Sequence, residues 1–301
     1  MEKWLTYTNG NYCIKINTEN GTKIRETEDD FFESEFPENI DIKISDRCDM
    51  GCQFCHENST SNGNVSDLNL PFLDTLRAGT ELAIGGGNIF ENKDLSPFLH
   101  KCKSLGLIPN ITVVQKHFIK HYEEIQSFID KKLVYGVGVS YTGNAKELEG
   151  LLTDNCVIHL INGVHLYKDI KQLEGIAKKV LILGYKDLRR GTSYKNKNAY
   201  NILRNQKVLG NAIPILRSIF DVVSFDNLAL EQLDIKNMVT EDEWKNFYMG
   251  DDGDFTMYID AVKKEYALSS TSLERFPLEN DIVDMFRNIK NTKEKHHVEM
   301  C

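Results

Sequence analysis

From residue 39 onward the sequence keeps one rhythm: a short run rich in Ile and Val, a stretch with helical spacing, then another such run. The strand-like runs are Ile40–Ile44, Glu81–Ile84, Asn110–Val114, Val134–Ser140, Val157–Ile161 and Val180–Leu183. Several lack polar alternation, the pattern of parallel strands covered on both faces. Helices are expected to start near Pro71, a residue suited to a first helical turn, and to cover about 95–105, 116–130, 144–153, 167–177 and 196–205. Such alternation predicts βαβ units. Six units fit an incomplete (β/α) barrel, and a doubly wound sheet is the alternative arrangement.

The flanks differ. Tyr12–Ile16 alternates, Asn20-Gly21 follows, and Thr22–Arg25 runs on. Asn-Gly between strand-like runs predicts a hairpin. Beyond the βα series, Phe220–Phe225 is expected as one more strand. Asp254–Asp260 and Glu265–Ser269 are expected as an antiparallel hairpin, because Phe255, Met257 and Ile259 alternate with Thr256, Tyr258 and Asp260. Leu278–Ile289 reads as a closing helix, and the polar end KEKHHVEMC is expected to fray. The expected organisation is an N-terminal hairpin lead-in over 1–38, a core over 39–205 and a small α+β extension over 206–301.

Charge and hydropathy exclude some functions. A net charge of −9 argues against a partner bound by broad phosphate neutralisation, although not against a small nucleotide. No stretch of about 18 apolar residues exists, so no membrane span is expected. The start, MEKWLTYTNG, has no apolar run of signal type, which makes the cytoplasm the expected location. An acidic run over 26–38 and a basic run over 186–197 are expected to be solvated faces, with the charges of the basic run also open to a binding role.

The chain has seven cysteines. An odd number without a signal segment argues against a disulfide framework. Cys13, Cys102, Cys156 and Cys301 are scattered and are expected to be inert. Cys48, Cys52 and Cys55 are not scattered: they form C-x3-C-x2-C directly after the first strand of the βα series. That is the loop at the strand's C-terminal end, where barrels of this class carry their chemistry. A cluster held wholly by protein takes four thiolates, so three would leave one iron open to a small molecule. Zinc is the competing reading, but it wants four ligands with paired spacing, and His56, adjacent to Cys55, would close a tetrahedron poorly.

The motif Cys48, Cys52, Cys55, with aromatic Phe54 before the third cysteine, resembles the signature of the radical S-adenosylmethionine (SAM) superfamily. The resemblance covers roughly residues 39–190. It implies a partial (β/α)6 barrel, a [4Fe–4S] cluster on the three cysteines, and SAM chelating the open iron. It further implies reductive cleavage of SAM to a 5′-deoxyadenosyl radical that abstracts hydrogen from a substrate, with electrons from a flavodoxin- or ferredoxin-type donor. The cofactor carries the hard chemistry and the protein orients it. On the same resemblance, Gly85, Gly86 and Gly87 stand where a Gly-Gly-Glu-Pro-like segment meets the amino group of SAM. Gly87 and Asn88 replace the usual Glu and Pro, which favours a backbone contact. Ser140, ending the fourth strand, corresponds to a ribose contact, and Asn162, ending the fifth, to an adenine or substrate contact, while His165 is expected to be structural. Gly184 and Tyr185 correspond to the adenine-side edge. Lys186 and Arg190 compete to pair with the SAM carboxylate or an anionic substrate.

Residues 206–301 contain only Cys301, so a single cluster is expected. A peptide is the leading substrate class, by analogy alone. A nucleoside-like small molecule and glycyl-radical activation of a partner enzyme are the other enzymatic readings. A metal-binding or sensing protein that keeps the cysteines without SAM is the non-enzymatic one.

Overall fold

A computed structural model describes residues 4–19 and 21–299, with side chains to Glu294. Three N-terminal strands, β1 (Trp4–Asn9), β2 (Tyr12–Asn17) and β3 (Lys23–Glu26), form a small antiparallel sheet. The β2–β3 hairpin agrees with the sequence reading, although Asn20 of its turn lies outside the described residues. Strand β1 was not anticipated. Glu38 departs from the solvated face expected for the acidic run. It is fully buried and meets Arg25 at 2.7 Å, Lys23 at 3.2 Å and the Tyr12 hydroxyl at 2.6 Å. Lys23 also bonds Glu81 at 2.6 Å, which ties the small sheet to the large one.

The large sheet begins with β4 (Asn39–Ser45) and β5 (Glu81–Gly86), joined by a long loop that includes a short 3-10 turn over Pro71–Thr75. Then follow α1 (Leu95–Ser104), β6 (Ile108–Val114), α2 (Gln115–Lys120), α3 (Tyr122–Asp130), β7 (Gly136–Ser140), β8 (Cys156–Ile161), α4 (Tyr167–Ile170), β9 (Lys179–Leu183), α5 (Arg190–Ile219), β10 (Val222–Phe225), α6 (Asn227–Gln232) and α7 (Glu241–Phe247). The chain ends with β11 (Thr256–Asp260), β12 (Glu265–Ala267), β13 (Phe276–Pro277) and α8 (Ile282–Glu299). The sheet order is β10-β9-β8-β7-β6-β5-β4-β11-β12-β13. Every pair from β10 to β11 is parallel, and β12 and β13 add antiparallel. From β4 to β10 the order follows the chain without the reversal that defines a doubly wound sheet. The ends at β10 and β13 do not pair, so the sheet is not closed. β11 pairs with β12 as expected, and it also lies parallel to β4, which was not.

Core-facing residues alternate along every strand of the series, with polar alternation clear on β4 and β5, while β8 and β9 are nearly all apolar, as the sequence reading expects of several strands. Ile40, Ile42 and Ile44, Leu82 and Ile84, Ile111 and Val113, Val137 and Val139, Ile158 and Leu160, and Val180 and Ile182 are buried in the main core. The residues between them line a cavity: they are mostly small or polar on β4 to β7, whereas β8 and β9 present Val157, Ile161, Leu181 and Leu183 beside His159 and Lys179. One face is apolar throughout, and the other mixes small, polar and apolar side chains around the cavity.

The helices correct the sequence reading in several places. The 116–130 segment breaks at His121 into α2 and α3. Residues 144–153 give only a 3-10 turn over Ala145–Leu148, and 167–177 only α4 and another such turn. The helix expected over 196–205 is part of the 30-residue α5, kinked at Asn198, so residue 205 falls inside a helix. The end expected to fray is helical to Glu299, and Cys301 lies outside the described residues. No helix among the described residues is long and apolar enough to cross a membrane.

Candidate active site

The cysteine loop leaves the C-terminal end of β4 and is held mainly by backbone. Asp46 N–H donates to the Asn64 carbonyl at 2.7 Å, Cys48 N–H to Thr60 at 2.8 Å, and Thr60 N–H back to Asp46 at 3.0 Å. The end of β5 supports it from below: Gly87 N–H donates to Ser45 and Asn88 N–H to Arg47, both at 2.6 Å. A Cβ at Gly87 would stand 2.3 Å from the Arg47 carbonyl oxygen, and one at Gly86 2.5 Å from that of Ser45. Two of the three glycines are therefore explained by close backbone approach to the cysteine loop. Gly85 is different, since a Cβ there meets only Thr112 at 3.6 Å.

The basic run is partly exposed, but two of its arginines hold the cysteine loop. Arg189 donates to the His56 carbonyl at 2.7 Å, and Arg190 donates to that of Ser59. Phe54 meets Tyr194 edge-on at 5.8 Å between ring centres. On the far side, His117 bonds Asp49 at 2.7 Å. The loop is thus gripped from β5, α2 and α5.

Beneath it opens a cavity of about 1240 Å³. Pockets for one drug-sized molecule run to about 1,000 Å³, so there is room for more than one small ligand. Of the residues singled out from sequence, Cys48, Cys52, Cys55, Phe54, Gly85, Gly86, Gly87, Ser140 and Lys186 line this cavity. Asn162, Gly184 and Arg190 stand outside its lining. Asn162 is fully buried and bonds Gln232 at 3.1 Å. Gly184 N–H caps onto Asp226 at 2.8 Å. Arg190 props the cysteine loop as described. Lys186 donates to the Ser270 hydroxyl at 2.8 Å. His165 accepts from Ile161 N–H at 2.7 Å through Nδ1 and its Nε2 meets the Tyr141 carbonyl at 2.9 Å, a structural pairing.

Sequence reasoning missed the deeper lining. His159 on β8 lies across Gly138 on β7, where a Cβ would fall 2.2 Å from the ring. Desolvation, aided by the charge of Lys186, pushes its imidazole down to about 4, so it is neutral near pH 7. Asp41 on β4 is reached by water through the cavity but surrounded by protein. Burial raises its carboxyl to about 6, against the pull of Lys186. Tyr258 on β11 also lines the cavity, and burial and Glu57 hold its phenol far above the ordinary range. The period-two phase of small and polar residues along β4 to β7 was the signal that could have found the lining of those strands, and His159 is the lone polar side chain on β8.

The thiols suit a cluster. Burial raises Cys48 and Cys52, and each is also raised by neighbouring thiols of the motif, so deprotonating them together calls for a cationic partner. Arg190 pulls Cys52 the other way. Beside the loop, Ser59 Oγ and Arg190 Nε are buried with no hydrogen-bond partner; an anionic group held by the cysteines would supply one. Among the described residues no three His, Cys, Asp or Glu side chains converge as the ligands of a single ion would. A four-iron cluster is wider than one ion and sets its thiolates further apart.

No protein-family model matches this sequence. No curated protein matches it either. Among solved structures it is similar to SuiB of Streptococcus suis, both bound to the precursor peptide SuiA and bound to S-adenosylmethionine. In each case the identity is 14%, the TM-score 0.59, and the match covers 95% of this chain and 87% of that one. A third SuiB structure matches at 15% identity and a TM-score of 0.53, with the same coverage. At such identity the likeness is one of fold: a mixed α/β chain built on one large, mainly parallel sheet.

Proposed function

We propose that this chain is a radical SAM enzyme that modifies a peptide. The observation that carries the reading is the juxtaposition of Cys48, Cys52 and Cys55 with a polar cavity under the same loop, at the C-terminal end of the parallel strands. The likeness to SuiB, solved with S-adenosylmethionine and with a precursor peptide, supports both the cofactor and the substrate class. It supports the finer fold reading too, since the parallel strands β4 to β9 are consistent with the partial barrel that the cysteine motif implies.

In this reading the three cysteines would hold a [4Fe–4S] cluster, which together with SAM would supply radical hydrogen-abstraction chemistry. The chain's own residues do the rest. Cys48, Cys52 and Cys55 hold the cluster at the rim, and Phe54 shields it. Gly86 and Gly87 seat the cysteine loop, and the open backbone of Gly85 faces the ligand. Ser140 offers a hydroxyl to the ribose, and Lys186 an ammonium to a carboxylate. Arg190 and Ser59 offer donors to the cluster side of the site. Asn162 and Gly184 support the adenine edge from behind, through α6. The walls of Gly85, Gly136 and Gly138 leave the width a substrate side chain needs, and neutral His159 gives the inner wall a polar group without charge. The core over 39–205 and the extension over 206–301 act as one sheet, and the N-terminal sheet over 1–38 buttresses it. A flavodoxin- or ferredoxin-type protein in the cytoplasm would deliver the electron.

Anaerobic reconstitution tests this. The expected result is about four iron and four sulfide per chain, and 5′-deoxyadenosine from SAM and dithionite. Cys48→Ala, Cys52→Ala and Cys55→Ala are each expected to abolish the cluster, with Cys13→Ala, Cys102→Ala, Cys156→Ala and Cys301→Ala keeping it. One zinc with no sulfide, or full cluster content in Cys52→Ala, overturns the proposal.

A further inference from the structure

Lys43 sits on β4 two residues before the strand ends and is almost fully buried, at 2% exposure. A lone ammonium is costly at such a place, and it is retained only where acids surround it. Three do. Asp46 is 2.5 Å away, Glu57 2.9 Å and Asp260 3.1 Å. Asp46 precedes the first cysteine by two residues and Glu57 follows the last by two, so one cation holds both flanks of the C-x3-C-x2-C segment. The third acid belongs to β11, more than two hundred residues away in sequence and itself buried. β11 reaches this point because it pairs with β4 in parallel, with Asp260 opposite Lys43. Further contacts converge on Glu57: the Tyr258 hydroxyl donates at 3.3 Å, Arg189 approaches at 3.4 Å and His56 at 3.3 Å.

We propose that Lys43 is the positioning residue of the cysteine loop, a buried tripod that fixes the spacing of its two flanks and ties them to β11 in the C-terminal third. The proposal rests on the cluster reading above. It gives the C-terminal strands a role in the chemistry: through Asp260 they set where the cysteines stand and which charge lies beside them. The acids outnumber the cations in this network, so it opposes adding an electron to a neighbouring cluster, and net charge is one of the levers on cluster potential.

Those two consequences separate positioning from mere support. The test uses the full chain, reconstituted anaerobically with iron and sulfide, in wild-type form and as Lys43→Met, Lys43→Arg and Asp260→Asn. Iron loss to a chelator is expected to be about 10–100-fold faster in Lys43→Met and largely restored in Lys43→Arg. The cluster midpoint potential, read by electron paramagnetic resonance during a redox titration, is expected to rise in Asp260→Asn, which removes a negative charge, and to fall in Lys43→Met, which removes a positive one. General damage to the fold has no reason to move the two in opposite directions. Asp260→Asn changes charge with almost no change in shape, so it reports even where Lys43→Met fails to fold. Unchanged potential and unchanged iron loss in Asp260→Asn, or shifts of the same sign in both variants, overturn the proposal while leaving the cluster reading intact. A wild-type chain that takes up no cluster overturns both.

Discussion

Replacing Gly87 with Ala asks whether the glycine run serves the cysteine loop or the cavity. A Cβ there falls 2.3 Å from the Arg47 carbonyl oxygen and 2.9 Å from its carbon. Neither can swing aside as the end of a side chain would, so the two backbone segments must part. Parting weakens the bonds from Gly87 to Ser45 and from Asn88 to Arg47, both 2.6 Å long. Overpacking costs about 1–3 kcal/mol and each backbone hydrogen bond about 0.5–1.5 kcal/mol, which together make about 2–6 kcal/mol. At Gly85 the added methyl meets only Thr112 at 3.6 Å, an ordinary contact, and stands in the cavity. Urea unfolding of the iron-free chain is expected to show the full loss for Gly87→Ala and a change within about 0.5 kcal/mol for Gly85→Ala. SAM affinity, measured on chains that still hold their cluster, is expected to fall for Gly85→Ala. Wild-type stability in Gly87→Ala refutes the steric reasoning.

Two further outcomes are expected. Gly138→Ala drives a methyl into the His159 ring and is expected to cost about 1–3 kcal/mol, most of it recovered in the Gly138→Ala/His159→Ala double variant; additive losses in a urea double-mutant cycle would contradict the contact. The pH dependence of stability carries two opposing contributions. His159 titrates near 4 in the fold against an ordinary 6.5, so the unfolded chain binds the extra proton between those values and stability falls as the pH drops through that window. Asp41 titrates near 6 against 3.8, so the folded chain binds the extra proton and stability falls as the pH rises. His159→Gln is therefore expected to leave a chain relatively more stable toward pH 4, and Asp41→Asn one relatively more stable toward pH 6. Identical pH profiles from chemical denaturation would refute both assignments.

The strand series was legible because Ile and Val runs are local signals. β4, β5, β6, β8 and β9 begin and end within about two residues of the sequence reading. The cysteine spacing was legible for the same reason. What was not legible is what depends on distant partners. Nothing near Thr256–Asp260 announces a parallel neighbour at residues 39–43, since β11 finds β4 only in the folded chain. The runs were read as strands covered on both faces, without a phase, so Asp41, Lys43 and His159 were not singled out. That Gly86 and Gly87, besides lining the cavity, also stand against the carbonyls of Ser45 and Arg47 was not legible, because a glycine's reason lies in whatever approaches it. Short helices such as Ala145–Leu148 and α4 were overcalled where the pattern was helical but capping was absent.

The pairing of β11 with β4 also dictates an order of events. As the chain leaves the ribosome, β4 gains β5 early, but its other edge has no neighbour until residue 260 has been made. During that interval the cysteine-bearing strand is the border of an unfinished sheet, with backbone groups open to unwanted pairing. Contacts spanning so much sequence form slowly. The third leg of the Lys43 tripod arrives with the same late strand. On the proposed cluster reading, iron and sulfide arriving before then would meet a Lys43 site with only two of its three acids, so cluster insertion is expected to follow the making of β11.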